Sequence, residues 1–382
     1  MYNIKGVVIY QLLQIAENQI MKEKEDLPKV LKTEENLQIS KKRIFSYIFS
    51  GFIFLLISFF SIMFVYNQFG GKTYLLRFDF FSLSIICQLI ILLLLYFAFD
   101  GLRLYYVLKT MQQSISFKEI IKLVFINILF SNVTPMATGG GFAQIYFLHK
   151  NNISIGMATA ATTIRTTLAS MFLFISTPMI LIFWKIPGFS TEKTYLYVAI
   201  LITVYFLFYY ILLRKNKLLK KVLLLVFKLL RSIRIISQRT NANISRKSIK
   251  EINAFSGSLS LFIKGNKSCM ILSVLFTFFF LLSLFSFSII LLKGLGYQIS
   301  YFTVIFYQIV VTFFMYFTPT PGATGLAEGG YALLFSQFVE KTDIVPLLFF
   351  WRFFTIYIGM ITGLGVFYWE FMKKHAKKKK NT

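Results

Sequence analysis

Charge is what this sequence has least of. Only 15% of its 382 residues are charged, where a soluble domain carries about 25% and uses them to cover its core. With 57% hydrophobic and 18% aromatic residues, the chain cannot supply a polar exterior, which excludes a soluble globular protein. Histidine and cysteine are scarce, at two each. His149 stands beside Lys150 and His375 lies in a basic tail, neither with the neighbours a metal centre needs. Cys87 and Cys269 sit in or beside apolar runs and read as small packing residues. No metal or other cofactor is expected. A secretory signal is also missing. The first 43 residues mix Glu23, Glu25, Asp26, Glu34 and Glu35 with lysines, which reads as a cytoplasmic leader whose residues 1–20 suit an amphipathic surface helix.

Acids are the scarcer sign, 15 against 41 Lys and Arg. A net charge of +26 would suit a nucleic-acid binder, but its distribution argues otherwise. Fourteen basic residues fall between Arg214 and Lys267 with Glu251 as the only acid, and six more follow Phe371. Basic residues flanking apolar spans mark the cytoplasmic side and are drawn to the anionic inner leaflet. The expected partner is therefore the membrane and its anionic or phosphate-bearing lipids, with no nucleic acid. A second copy of the chain and enzymes of envelope synthesis are further candidate partners.

What is abundant is apolar sequence. Runs near 44–66, 80–99, 153–184, 194–213, 268–292, 301–317 and 345–369 approach or exceed the roughly 20 residues a helix needs to span a bilayer. Two apolar regions are broken. One carries Asn132 and Thr134-Pro-Met-Ala-Thr-Gly139, the other Thr320-Pro-Gly-Ala-Thr-Gly325, five of six residues matching at an offset of 186. Downstream each half has one arginine in an apolar run, Arg165 and Arg352, at an offset of 187. Two landmarks in register indicate an internal repeat. With residues 1–43, 214–267 and the tail placed in the cytoplasm, the first break is entered from inside and the second from outside. The expected fold is an all-α, polytopic protein of the cell membrane with inverted repeats, two re-entrant regions, and both termini cytoplasmic. Its parts are a leader (1–43), repeat 1 (44–213, re-entrant near 132–148), a basic cytoplasmic segment (214–267), repeat 2 (268–370, re-entrant near 318–338) and a tail (371–382).

Proline and glycine inside an apolar run free backbone polar groups that hydrocarbon cannot satisfy, so such backbone must pack in protein or line a wet cavity. Gly139, Gly140 and Gly325 sit where half-helices begin, and a helix N-terminus favours an anion. The bland alternative is a kink at small residues. A buried arginine costs about 2.5–3.5 kcal/mol on insertion scales. Arg165 and Arg352 therefore need a partner, either a lipid phosphate, which suits the guanidinium fork, or Glu328, Asp100 or a carbonyl. Glu328 suits a helix cap, a proton carrier or a ligand for a cationic headgroup. Asp100 and Arg103 read as a local surface pair. The candidate substrate site comprises Asn132, Pro135, Thr138, Gly139, Gly140 and Arg165 from one half, with Pro321, Thr324, Gly325, Glu328 and Arg352 from the other.

At these residues the sequence resembles the flippase-like transmembrane family, the membrane half of the lysylphosphatidylglycerol synthase/flippase (multiple peptide resistance factor). The second signature, Pro-x-Pro-Gly-Gly-x-Gly-x-x-Glu, is met by Pro319-Thr-Pro-Gly-Ala-Thr-Gly-Leu-Ala-Glu328, with Ala323 for the second glycine. The first, Asn-x-x-Pro followed by glycines, is met by Asn132, Pro135, Gly139 and Gly140. The resemblance implies translocation of a phospholipid or a polyprenyl-phosphate-linked glycan between the paired re-entrant regions. Thirteen residues after Trp369 leave no room for the aminoacyl-transferase domain, so the chain is expected not to charge a lipid, and no catalytic residue is expected. The alternatives are a membrane glycosyltransferase, for which acids on external loops are wanting, and a non-transporting accessory subunit of envelope synthesis.

Overall fold

The computed structural model describes residues 81–184, 192–214 and 257–380, with a few isolated positions beside them. The leader, the run at 44–66 and most of the basic segment lie outside the described residues. All regular structure described is helical. In chain order it comprises α1 (Leu83–Thr110), α2 (Phe117–Val133), a 3₁₀ turn (Pro135–Ala137), α3 (Thr138–Lys150), α4 (Ile155–Trp184), α5 (Glu192–Arg214), α6 (Lys267–Gly294) and α7 (Tyr301–Met315). A second 3₁₀ turn (Pro321–Ala323), α8 (Leu326–Phe335), α9 (Lys341–Arg352), a π-helical stretch (Phe353–Tyr357) and α10 (Ile358–Lys380) follow. Among the described residues, four helical stretches are long and apolar enough to cross a membrane: Leu83–Thr110, Ile155–Trp184, Lys267–Gly294 and Lys341–Glu370.

α1 and α6 form the central pair, each opened by a side-chain cap. Ser82 Oγ accepts from Ile85 N at 3.4 Å and Asn266 Oδ1 from Cys269 N at 3.2 Å, satisfying donors that a helix start leaves bare. The two run antiparallel. Tyr106 stacks on Phe276 with ring centroids 5.3 Å apart, Phe99 on Phe279 at 5.4 Å, and Tyr96 meets Phe287 edge-on at 5.9 Å. Since α2 follows the end of α1 and α7 follows the end of α6, the two broken regions start at opposite ends of this pair.

Each broken region is a hairpin with a pinned mouth. Glu370 of α10 accepts from Lys122 near the start of α2 at 2.8 Å and from Lys150 at the end of α3 at 2.7 Å, so α3 returns to the side from which α2 set out. At the other mouth the Tyr297 hydroxyl donates to Asp343 Oδ2 at 2.9 Å and accepts from Glu340 N at 3.0 Å, holding the approach to α7 beside the start of α9. With ten residues, α8 is about 15 Å long, half of a hydrocarbon core of about 30 Å. The tips then meet: Pro135–Ala137 packs against Pro321–Ala323, which also touches α2. α10 lies against α2 through Gly359, where an added Cβ would come within 2.9 Å of Ile128 Cγ2, and Gly363, within 3.0 Å of Leu129 Cβ. Such close approach of small residues substitutes for a hydrophobic driving force that lipid cannot provide.

Candidate functional site

The two tips share one local conformation over four residues. Thr134 and Thr320 are extended, the prolines follow, and the next two residues are left-handed: Met136 (φ 53°) and Ala137 (φ 54°) in the first tip, Gly322 (φ 58°) and Ala323 (φ 55°) in the second. Left-handed non-glycine residues carry strain of order 1–3 kcal/mol and gather at binding and switch regions. After Ala the tips diverge. Thr138 is helical and opens α3, donating to Pro135 O at 3.0 Å, whereas Thr324 is extended, buried, and hydrogen-bonded to Pro321 O.

The two matched glycines therefore do different work, which corrects the expectation that Gly139 and Gly325 are equivalent. Gly325 has φ 93° and ψ −63°, with open space where a Cβ would stand, so its need is conformational. Gly139 lies inside α3, and a Cβ there would come 2.5 Å from Thr134 Cγ2 and 2.9 Å from Phe130 O. Its need is steric, because Thr134 folds over it, donating to Phe130 O at 2.7 Å and accepting from Gly139 N at 2.8 Å. Gly140 is similarly pressed, by Ser131 and Asn127 Oδ1. Asn132 does not point to a partner element; its Nδ2 donates to Ile128 O at 2.8 Å within α2.

Both arginines are buried, each on a carboxylate. Glu328 Oε1 sits 2.7 Å from Arg352 Nε and Nη2, while Glu328 Oε2 accepts from Gly325 N at 2.6 Å. One carboxylate thus caps α8, fixes the left-handed glycine and neutralises Arg352, as an acid in a first helical turn should. The π-helical stretch begins directly after Arg352, a local insertion often found beside functional side chains. Arg165 Nη2 donates to both oxygens of Asp100, at 2.5 and 2.6 Å, and Arg103 Nε reaches Asp100 Oδ1 at 2.6 Å. Arg103 also lies over the Phe280 ring, 3.7 Å from its centroid.

The Asp100–Arg103 pair is therefore not on the surface. Asp100 is 2% exposed and Arg103 6%, because α1 continues ten residues beyond the hydropathy drop at Asp100 and is covered there by α4 and α6. Sequence reading offered Asp100 only as one possible partner for a lone arginine, which the Arg165 contact bears out, and left Arg103 on the surface. The signal for Asp100 is parity, since Arg165 needs an acid and Asp100 stands directly after an apolar run of the same half; nothing comparable marks Arg103. Among the described residues, then, the structure gathers Asp100, Arg103 and Arg165 into one cluster and Gly325, Glu328 and Arg352 into another.

These features define a class, the polytopic helical membrane proteins built on two hairpins meeting tip to tip. Within it, residues 44–363 match the lysylphosphatidylglycerol synthase transmembrane region, and the chain belongs to that family. It is also similar to a UPF0104 membrane protein of Archaeoglobus fulgidus, 23% identical over 252 residues, covering 65% of this chain and 75% of that protein.

Proposed function

We propose that the protein moves a phosphate-bearing lipid across the cell membrane, with the headgroup passing the point where the two hairpin tips meet. The observation that carries this reading is the contact of Pro135–Ala137 with Pro321–Ala323 between hairpins that open at opposite ends of the α1–α6 pair. Irregular backbone and buried arginines are costly in hydrocarbon and persist where they pack in protein or line a wet cavity, and a passage for a polar headgroup gives both tips such a cavity. The basic segments place both termini in the cytoplasm on this reading, and the two halves act as inverted repeats that rock about a fixed site. No covalent step is assigned. Membership in a family named for lysylphosphatidylglycerol synthase supports a lipid rather than a soluble substrate.

The test is reconstitution of the purified chain into vesicles with a fluorescent phosphatidylglycerol and an impermeant quencher. Transport should raise the quenchable fraction above that of protein-free vesicles, with the lipid chemically unchanged. An unchanged quenchable fraction across phospholipid and polyprenyl-phosphate probes would reject transport, and a modified lipid would point to an enzyme.

A further inference from the structure

The two buried charge clusters differ in net charge. Glu328 balances Arg352 one to one, 0% and 1% exposed. Asp100, by contrast, faces two guanidiniums, those of Arg103 and Arg165, with all three residues at least 94% buried. Among the described residues, pooling both clusters does not remove the surplus, for two carboxylates then face three arginines. Buried charge is normally paired, since an unpaired ion away from water is heavily penalised. The Phe280 ring under Arg103 offsets part of the surplus but supplies no countercharge. Arg165 Nε is buried without an acceptor among the described residues, as is Arg352 Nη1 in the other cluster, so the surplus charge and not the open donor sets the first cluster apart.

One turn along α4 from Arg165, an apolar groove of ≈390 Å³ opens between α4 and α6. Leu168, Phe172, Ile271, Val274, Leu275 and Phe278 line it. Leu168 is one turn from Arg165 on α4 and Phe278 is about 3 Å along α6 from the Phe280 ring that carries Arg103, so one end of the groove lies level with the cluster. We propose that Asp100, Arg103 and Arg165 form an oxyanion site for a singly charged phosphodiester, held by the two guanidiniums in competition with Asp100, with the ester's hydrocarbon in the α4–α6 groove. One negative charge neutralises the cluster, whereas a diphosphate would leave it negative. The carboxylate occupies the guanidiniums while the site is empty and gives them up to the phosphate. Arg352 is then a positioning residue, charge-balanced by Glu328 at the second tip. This rests on the transport reading only for the consequence of binding; the binding itself stands separately.

The experiment is thermal unfolding of the purified full chain in detergent with short-chain phosphatidylglycerol, inorganic phosphate, farnesyl diphosphate or short-chain diacylglycerol added. Ligand that binds the folded state raises the midpoint. Phosphatidylglycerol should stabilise most, the diphosphate and phosphate less, and diacylglycerol least. Arg103→Met leaves a neutral Asp100–Arg165 pair and should weaken phosphatidylglycerol binding at least about tenfold. Asp100→Asn added to it restores the surplus charge and should recover binding, which a merely structural role for Arg103 would not produce. The proposal is overturned if Arg103→Met binds as the parent does, if the double variant binds no better than the single, or if diacylglycerol stabilises as well as phosphatidylglycerol. A response to inorganic phosphate equal to the lipid's would overturn the lipid assignment. Binding that follows this charge rule without transport in vesicles would reject transport and keep the site. Transport undiminished by Arg103→Met would do the reverse.

Discussion

At the scale of single residues, the two tips reach nearly the same turn by different means, and substitutions should separate them. Gly325→Ala meets no atom and pays only for its left-handed backbone, about 1–3 kcal/mol. Gly139→Ala pays by overpacking against Thr134 and Phe130 O, of similar size. Thr134→Ala should therefore restore part of the midpoint lost by Gly139→Ala and nothing of that lost by Gly325→Ala. Equal rescue of both would mean the glycines are interchangeable after all. The Glu328–Arg352 pair gives a second contrast. Glu328→Ala strands a buried guanidinium and unfastens Gly325, and breaking such a pair costs about 3–5 kcal/mol. Adding Arg352→Met removes the stranded charge, so the double variant should melt above Glu328→Ala alone. A double variant that melts lower would show that Arg352 has another partner. Much of this was legible beforehand: the matched hexapeptides pointed to the turns, and lone arginines in apolar runs pointed to buried charge. The left-handed stretch at Met136-Ala137 was not, because nothing in those side chains favours φ above zero and only the packing of the two tips selects it.

At the scale of elements, the first hairpin is held to α10 by two kinds of contact, and magnitudes decide between them. The Glu370 bridges to Lys122 and Lys150 lie at the rim, with the lysine side chains 23% and 44% exposed, and such pairs are worth at most about 1 kcal/mol. The Gly359 and Gly363 contacts let the two helix backbones meet, and a branched side chain there overpacks by about 1–3 kcal/mol or more. Glu370→Gln should hence lower the thermal midpoint slightly, whereas Gly363→Val should lower it strongly. Gly365→Ala, which meets nothing, should be neutral or slightly stabilising, by up to about 1 kcal/mol. A midpoint more sensitive to Glu370→Gln than to Gly363→Val would place the hold in the ion pairs. Helix positions were readable from hydropathy to within a few residues for α4, α5, α6 and α7. The end of α1 was read eleven residues short, because hydropathy treats Asp100 and Arg103 as surface. A helix whose charged face is covered by two neighbours carries no such mark in its own sequence.

At the scale of the molecule, everything turns on the hairpins opening to opposite sides of the membrane. The antiparallel rings of α1 and α6 put the two hairpin starts at opposite ends of that pair, and on the transport reading these ends face opposite sides, with the basic segments marking the cytoplasmic one. Two exposed loop positions report it: Ser154, just past the mouth of the first hairpin, and Gln298, at the mouth of the second. In a variant with Cys87 and Cys269 replaced by alanine, Gln298→Cys should react with an impermeant thiol reagent on intact cells. Ser154→Cys should react only after the membrane is opened. Ser248→Cys, in the basic segment, should follow Ser154 by the charge argument alone, which makes it an independent check on sidedness. Reversal of all three would invert the protein and leave the hairpins opposed, so the passage would survive with its direction exchanged. Labelling of Ser154 and Gln298 from the same side is the damaging result. Two hairpins that enter from one face cannot offer a headgroup continuous polar contacts from leaflet to leaflet, and no arrangement of the buried arginines would repair that.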